Sequence, residues 1–271
     1  MQPIFTQKTE YPLRRSWGAP MSEMPEIVTI TTVVDETPTI KTFVFDKLFA
    51  FRPGQFCMVW VPGVDEIPMA FSAVNSITVM KVGDATEALF SLKAGDKLGI
   101  RGPFGNGFSP SGKVLAIAGG IGVTPLFTLA ASGEVDTFIL GARTREELVF
   151  AEELAKVSDL KIATDDGTFG FHGFVTGILD QIDAESYDTI CVCGPEMMMK
   201  GILDRLVAKG IENRGQFSMH RYMKCAAGVC GSCCMDDHGL RVCKDGPVFT
   251  GDLIKTGEFA HYHRGPSGRK E

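Results

Sequence analysis

Residues 221–249 read RYMKCAAGVCGSCCMDDHGLRVCKDGPVF, and five of the chain's eight cysteines fall inside them. Cys225, Cys230, Cys233 and Cys243 make a C-x4-C-x2-C run with a more distant fourth member. That is the plant-type spacing for a [2Fe–2S] cluster. The reason is geometric. A small cluster needs several thiolates converging from one tight loop, and Gly228 and Gly231 let backbone wrap close to the sulfides. Cys243 then closes the site from the next segment. Cys234 adjoins Cys233 and is expected to be the spare, because neighbouring residues rarely point at one centre. Four thiolates also suit structural zinc. Zinc sites usually show two C-x2-C pairs, however, and this run holds one. A disulfide framework belongs to small secreted chains, and nothing in this sequence points to secretion.

Upstream, residues 112–216 alternate apolar strands with helical segments. Strands are expected at 114–118, 138–140, 160–163, 190–193 and 216–219, and helices at 125–131, 146–157, 175–182 and 196–208. Such alternation indicates a parallel sheet covered on both faces. The first strand runs into Ala118-Gly119-Gly120-Ile121-Gly122-Val123-Thr124-Pro125. Glycines there let backbone N–H groups approach a diphosphate at the positive end of a helix, and Pro125 suits the first helical position. Thr124-Pro125 stands where the third glycine of the dinucleotide fingerprint would be, so the turn reads equally as a tight connection. The fourth strand ends in Cys193-Gly194-Pro195. Ligands of open α/β sheets bind outside the carboxyl ends of strands. Cys193 therefore faces the same crevice as the glycine turn, although spacing alone favours a small buried hydrophobe.

Further out, residues 26–108 show short runs rich in Val, Ile, Phe and Thr, at 27–34, 40–45, 56–61, 70–74, 77–82 and 97–101. Pro53-Gly54, Pro62-Gly63 and Ala94-Gly95-Asp96 punctuate them, and no long helical period appears. A small closed antiparallel barrel is expected. The stretch RGPFGNGF at 101–108 ends it, at a junction of two domains where cofactors often sit. Residues 109–112, SPSG, read as the linker.

Length and charge bound the rest. A chain of 271 residues suggests two domains with a small third. The net charge of −6, with no large basic block, argues against nucleic acid as a partner. No apolar run approaches the roughly 20 residues needed to span a bilayer. Residues 1–25 lack a signal-like apolar region and are expected to form a flexible extension, with 256–271 a tail that is solvated after Phe259. Clustered thiols without a signal imply a reducing cytoplasm and metal or redox work.

Taken together, the barrel, RGPFGNGF, AGGIGVTPL, CGPEMMMK, CAAGVCGSC and VCKDGPVF resemble, over about residues 26–255, the ferredoxin–NADP reductase superfamily carrying a C-terminal [2Fe–2S] loop. Within it, they look most like the iron–sulfur electron-transfer subunits of NAD-dependent dihydroorotate dehydrogenases. The resemblance implies a flavin β-barrel domain at 26–108, an α/β parallel-sheet NAD domain at 112–216 and a small [2Fe–2S] module at 217–255. It implies FAD on the strand Pro68-Met69-Ala70-Phe71-Ser72 and at the turn holding Gly83 and Thr86, with Gly102 beside them. Ile67 stands where that family often has Arg. Gly119, Gly120, Gly122 and Thr124 match the family's pyridine-nucleotide turn, and Cys193, Gly194 and Pro195 its CGP, whose cysteine lies near the nicotinamide, which makes Cys193 the expected catalytic residue. Ser218, Arg221 and Met223 fit an S-x-E-R-x-M segment in which His220 replaces the Glu.

The implied chemistry is a relay. NAD(H) exchanges two electrons as hydride, a [2Fe–2S] cluster carries one, and a flavin handles both. No residue set resembles a site for oxidising an organic substrate. The resemblance therefore implies an unlike partner, an FMN-containing catalytic subunit that oxidises dihydroorotate in pyrimidine biosynthesis, in a two-plus-two heterotetramer. A diaphorase subunit of a hydrogenase or sulfide-linked oxidoreductase would share the same segments, and a zinc-stabilised binding module would share only the thiols. Arg143 and Arg145, after the second strand, read either as contacts for a 2′-phosphate or as a solvated helix start.

Overall fold

A computed structural model describes residues 24–236, 238–255, 257–265, 267, 269 and 270. The expected N-terminal extension lies, up to residue 23, outside them.

Six strands close the first body into a barrel: β1 (Glu26–Thr37), β2 (Ile40–Phe45), β3 (Phe56–Val61), β4 (Asp65–Ala73), β5 (Ser76–Met80) and β6 (Lys97–Phe104). Their order is β1-β2-β5-β4-β3-β6, with antiparallel neighbours throughout. Closure follows from alternation: Val28, Ile30, Phe43, Phe45, Phe71 and Ile77 all point into one interior. Each such side chain contributes about 1.5–3 kcal/mol of burial. β4 starts at Asp65, earlier than the expected 70, and runs through Pro68. A proline is tolerated there because β5 joins β4 only from Phe71 onward, leaving Pro68 paired on one side, with Met58 of β3. One helix, α1 (Asp84–Phe90), was not expected in this region; its seven residues are too short to show a period.

The second body is a seven-stranded sheet. In chain order it is built from β7 (Val114–Gly119), α2 (Val123–Ala131), β8 (Thr137–Ala142), α3 (Ala151–Val157), β9 (Asp159–Thr164), β10 (Phe171–His172), α4 (Val175–Leu179), β11 (Thr189–Cys193), α5 (Glu196–Ala208) and β12 (Gly215–Ser218). Strand order is β10-β9-β8-β7-β11-β12, all parallel. Strand order reverses between β7 and β11, so the switch point, where such sheets bind ligands, lies between those two strands. The helix expected over 146–157 is shorter than its pattern. Phe150 takes a left-handed φ of 61° and stacks on Phe127 at 4.4 Å, so α3 begins only at Ala151.

The cysteine segment carries β13 (Cys234–Met235), β14 (Leu240–Arg241), α6 (Val242–Asp245), β15 (Val248–Thr250) and α7 (Gly251–Ile254). It is not an appendage. β15 adds a seventh strand to the sheet, antiparallel to β12, with Phe217 opposite Phe249. On the other side it docks on the barrel's exit. Gly105 has a φ of 71°, and a side chain there would meet the Gly246 carbonyl, with Pro247 Cδ at 2.6 Å. Asn106 bridges to Pro247 and donates from Nδ2 to the Asp245 carbonyl at 3.0 Å. One apolar core then runs through Phe56 and Phe104, Val192 and Phe217, and Met223 and Phe249.

The C-terminal stretch departs from the expected solvated tail. Glu258 and Phe259 are buried just before it, and within it Arg264 grips Asp236 with two bonds of 2.8 and 2.9 Å. The physical reason is charge: Asp236 gathers Arg264, Lys270 and the Tyr262 hydroxyl around one carboxylate.

Candidate functional site

The four spaced cysteines come together in two pairs. Cys225 and Cys230 contact each other through their thiols, as do Cys233 and Cys243. The loop between them turns on Ala226, Gly228 and Gly231, all with positive φ. This curl aims backbone N–H groups at sulfur. Ala227 and Val229 donate to Cys225 Sγ at 3.4 Å each, and Gly228 donates to Cys243 Sγ at 3.2 Å. Burial alone would raise the Cys225 thiol, but the N–H groups of Cys230, Val229 and Ala227 outweigh it and bring it down to about 6. Cys243 is pushed up to about 12, first by burial and then by the neighbouring Cys233. Cys233 and Cys243 are buried, Cys225 is half-buried and Cys230 is exposed. Cys234 turns away and donates to the Met235 carbonyl.

Two thiol pairs, wrapped in sulfur-directed N–H groups, suit a two-iron group that takes two thiolates per metal. A single zinc ion needs its ligands to converge on one point, and among the described residues no three His, Cys, Asp or Glu side chains do so. A cleft of about 360 Å³ separates Phe104, Gly105 and Asn106 from Ala226, Ala227, Cys243 and Lys244. Cys243 thus lies across the cleft from the barrel's exit segment.

At the switch point the two expected turns touch. A side chain on Gly122 would meet the Cys193 carbonyl oxygen at 2.5 Å and the Gly194 nitrogen at 2.7 Å. One on Gly194 would meet Met198 Cε at 2.5 Å, and one on Gly119 would meet Pro195 at 3.0 Å. These three glycines are therefore demanded by packing between turns. Gly120 differs: its φ is 52° and it faces open space. Beside it the Thr124 hydroxyl, on the first turn of α2, is buried without a hydrogen-bond partner among the described residues. An orphaned hydroxyl next to an open glycine at a helix N-terminus fits an incoming phosphate. Cys193 is half-buried beside Ser218; burial pushes its thiol up to about 12, against the pull of the Ser218 hydroxyl. It is a neutral thiol at pH 7, fit to shape the crevice and not to act as a nucleophile.

The flavin candidates divide in the same way. β4 packs against α2, so its residues adjoin the nucleotide turn. Phe71 is spent inside the barrel, stacked on Phe51 at 4.4 Å, and Ser72 shares a buried 2.9 Å hydrogen bond with Ser76. The Thr86 hydroxyl accepts from the Val82 and Gly83 N–H groups at 2.9 Å and donates to the Gly83 carbonyl at 2.8 Å. It shapes the turn at the start of α1 and has no capacity left for a ligand. Gly102 has a φ of 138°, with Cys57 Cα 3.2 Å from where a side chain would begin. Pro68, Met69 and Ala70 remain half-buried, and Gly83 is exposed. These four offer backbone to a bound group. No basic residue on β4 replaces the arginine that Ile67 displaces.

Comparison with known proteins agrees with this geometry. Residues 220–255 match the model of a family described as the iron–sulfur cluster binding domain of dihydroorotate dehydrogenase B. A Methanocaldococcus jannaschii protein named probable dihydroorotate dehydrogenase B (NAD(+)), electron transfer subunit, is 51% identical over 92% of this chain and 98% of its own. The chain belongs to the dihydroorotate dehydrogenase B electron transfer subunit family. A protein of the same name from Methanocella arvoryzae is 49% identical over 91% of this chain and 98% of its own. Among solved structures, a chain from an NADH-dependent reduced ferredoxin–NADP oxidoreductase superposes with a TM-score of 0.74. It is 27% identical, with 88% of this chain and 90% of that chain covered. A ferredoxin reductase of carbazole 1,9a-dioxygenase, at 24% identity, covers 74% and 69% with a TM-score of 0.63 and shares the fold.

Arg221 and Arg101, which both stand in stretches singled out in the sequence, hold this family member's cysteine segment through partners that were not legible there. Arg221 is buried and donates to Glu196 at 2.9 and 3.2 Å and to Glu258 at 2.9 Å. Glu196 directly follows Pro195, and Glu258 also accepts from the Asp236 N–H at 2.9 Å. This network ties the nucleotide turn, the cysteine segment and the C-terminal stretch to one guanidinium. On the barrel side, Arg101 donates to the Cys225 carbonyl at 3.1 Å while forked onto Glu66. Both arginines meet partners far away in sequence, and such separations leave no local pattern to read. No helix among the described residues is long and apolar enough to cross a membrane.

Proposed function

We propose that this chain is the NAD-linked electron-transfer subunit of a cytoplasmic dihydroorotate dehydrogenase, acting in pyrimidine biosynthesis beside an FMN-containing catalytic subunit. One arrangement supports it above all: of two thiol pairs of [2Fe–2S] type, one presents Cys243 across a cleft from the exit of a flavin-type barrel, whose β4 adjoins the nucleotide crevice.

Bound FAD supplies exchange between hydride pairs and single electrons, and a bound [2Fe–2S] cluster carries the single electrons. The chain's residues supply the rest. Gly120 and Thr124 receive the diphosphate of NAD at the positive end of α2. Gly119, Gly122, Gly194 and Pro195 hold the two turns together so that the crevice keeps its shape. Cys193 lines the nicotinamide end as a neutral thiol and moves no proton. Pro68, Met69, Ala70 and Gly83 present backbone to FAD, with Phe71, Ser72, Thr86 and Gly102 fixing the strand and turn behind them. Cys225, Cys230, Cys233 and Cys243 hold the cluster. The Val229 side chain, 84% exposed between two of these cysteines, marks where the loop reaches the surface.

The test is reconstitution. The isolated chain oxidises NADH with artificial acceptors and leaves dihydroorotate untouched. Mixed with its FMN subunit, it confers NAD-linked orotate formation. Dihydroorotate turnover by the isolated chain overturns the relay, and co-purification with a hydrogenase subunit reassigns the partner.

A further inference from the structure

Arg101 lies on β6, one residue before Gly102, with a side chain only 14% exposed. Its Nε and Nη2 bind the two carboxylate oxygens of Glu66 at 2.9 and 2.7 Å. Glu66 is on β4, which is not β6's neighbour. The pair reaches across β3, where Trp60 stands opposite both Glu66 and Gly99. A two-point fork fixes the guanidinium plane. The remaining nitrogen, Nη1, is thereby aimed out of the barrel at the Cys225 carbonyl, 3.1 Å away. The guanidinium carbon also sits 5.1 Å from the Phe104 ring, on the segment that faces Cys243 across the cleft.

We infer that the Arg101–Glu66 clamp is a positioning device: it ties the first cluster ligand to the flavin barrel, and its two opposite charges set how readily the cluster accepts an electron. The inference rests on Cys225 being a cluster ligand. It has a geometric and an electrostatic half. Lysine has one ammonium in place of a planar fork and cannot hold both Glu66 oxygens and the carbonyl at once. Removing the arginine leaves the Glu66 carboxylate unneutralised near the cluster, which disfavours added negative charge. Neutralising Glu66 leaves an unbalanced cation, which favours it. Both charges are partly withdrawn from water, so neither effect is fully screened.

The experiment is a redox titration of the purified holo-chain, followed by the EPR signal of the reduced cluster. Arg101→Met shifts the potential down and Glu66→Gln shifts it up. The double variant returns near wild type in potential but keeps an altered EPR line shape, because the carbonyl tether is gone. Arg101→Lys leaves the potential close to wild type with the line shape altered. Opposite shifts are the signature, since a merely structural role moves both single variants alike. Should Arg101→Met lose its cluster, Glu66→Gln and Arg101→Lys, which keep a cation, decide the matter. Wild-type potential and line shape in every loaded variant overturn the clamp. A wild-type chain with zinc and no iron overturns the cluster assignment, and this inference with it, before any variant is made.

Discussion

Cys233 and Cys234 are neighbours in the chain with opposite surroundings. The Cys233 thiol is buried against Cys243 and accepts from its N–H at 3.4 Å, whereas Cys234 bonds a local carbonyl. Cys234→Ser therefore keeps the visible absorbance and iron content of the holo-chain. Serine at 225, 230, 233 or 243 loses or greatly weakens both. Iron loss in the Cys234 variant with retention in the Cys233 variant would exchange their roles. At this scale the thiols were readable because ligand spacing is local. The glycines were readable as turns, but not for their reason. Gly122 and Gly194 are fixed by the backbone of the facing turn and Gly119 by the side chains of Pro195 and Met198, while Gly120 beside them is open to a ligand. Thr86 and Ser72 look like binding groups in sequence, yet their hydroxyls are bound internally. A residue's hydrogen-bond capacity is a property of the fold and leaves no mark on a motif.

Among elements, long and strongly patterned ones were legible. α5 was expected over 196–208 and spans Glu196–Ala208, and β2 and β3 match their expected limits. β10 and β15 hold two and three residues, too few to show alternation, so the sheet was anticipated without its two edges. The ion network around Arg221 was equally hidden, because its partners come from α5 and from beyond α7. Breaking a buried pair leaves uncompensated charge, at about 3–5 kcal/mol. Arg221→Met would strand Glu258, 1% exposed, beside Glu196. The variant is expected to lose roughly that stability in denaturant melts, with cluster release ahead of barrel unfolding. A melting midpoint equal to wild type would show that the network carries no net stability. Glu258→Gln, which keeps the hydrogen-bonding shape, is expected to cost less.

For the whole molecule, the C-terminal stretch joins the cysteine segment through an acid-sensitive contact. The Arg264 guanidinium and the Tyr262 hydroxyl hold the Asp236 carboxyl at about 2, below its ordinary 3.8. A carboxylate whose folded pKa is depressed stabilises above its unfolded pKa and loses that contribution as pH falls through the folded one. Amide protection of residues 258–262 should then be flat from pH 8 to pH 5 and fall only between about 4 and 2. Asp236→Asn should lower it from pH 8 to pH 5 and converge with wild type as pH falls to about 2. Hydrogen exchange reads this directly, and a loss centred near pH 6 would point to a histidine instead.

β15 gives the molecule one further property. Many carriers of single electrons ride on tethered domains that swing between donor and acceptor. Here the thiol-bearing loop returns into the nucleotide sheet as a hydrogen-bonded strand, with Gln216, Phe217 and Ser218 opposite Thr250, Phe249 and Val248. Held at both ends by β12 and β15, the thiol loop cannot swing away as a body without tearing the sheet. The separation between crevice and thiols is set once, when the chain folds, so solvent viscosity has no swinging step to slow. The acceptor must come to this protein, because the wire is soldered at both ends.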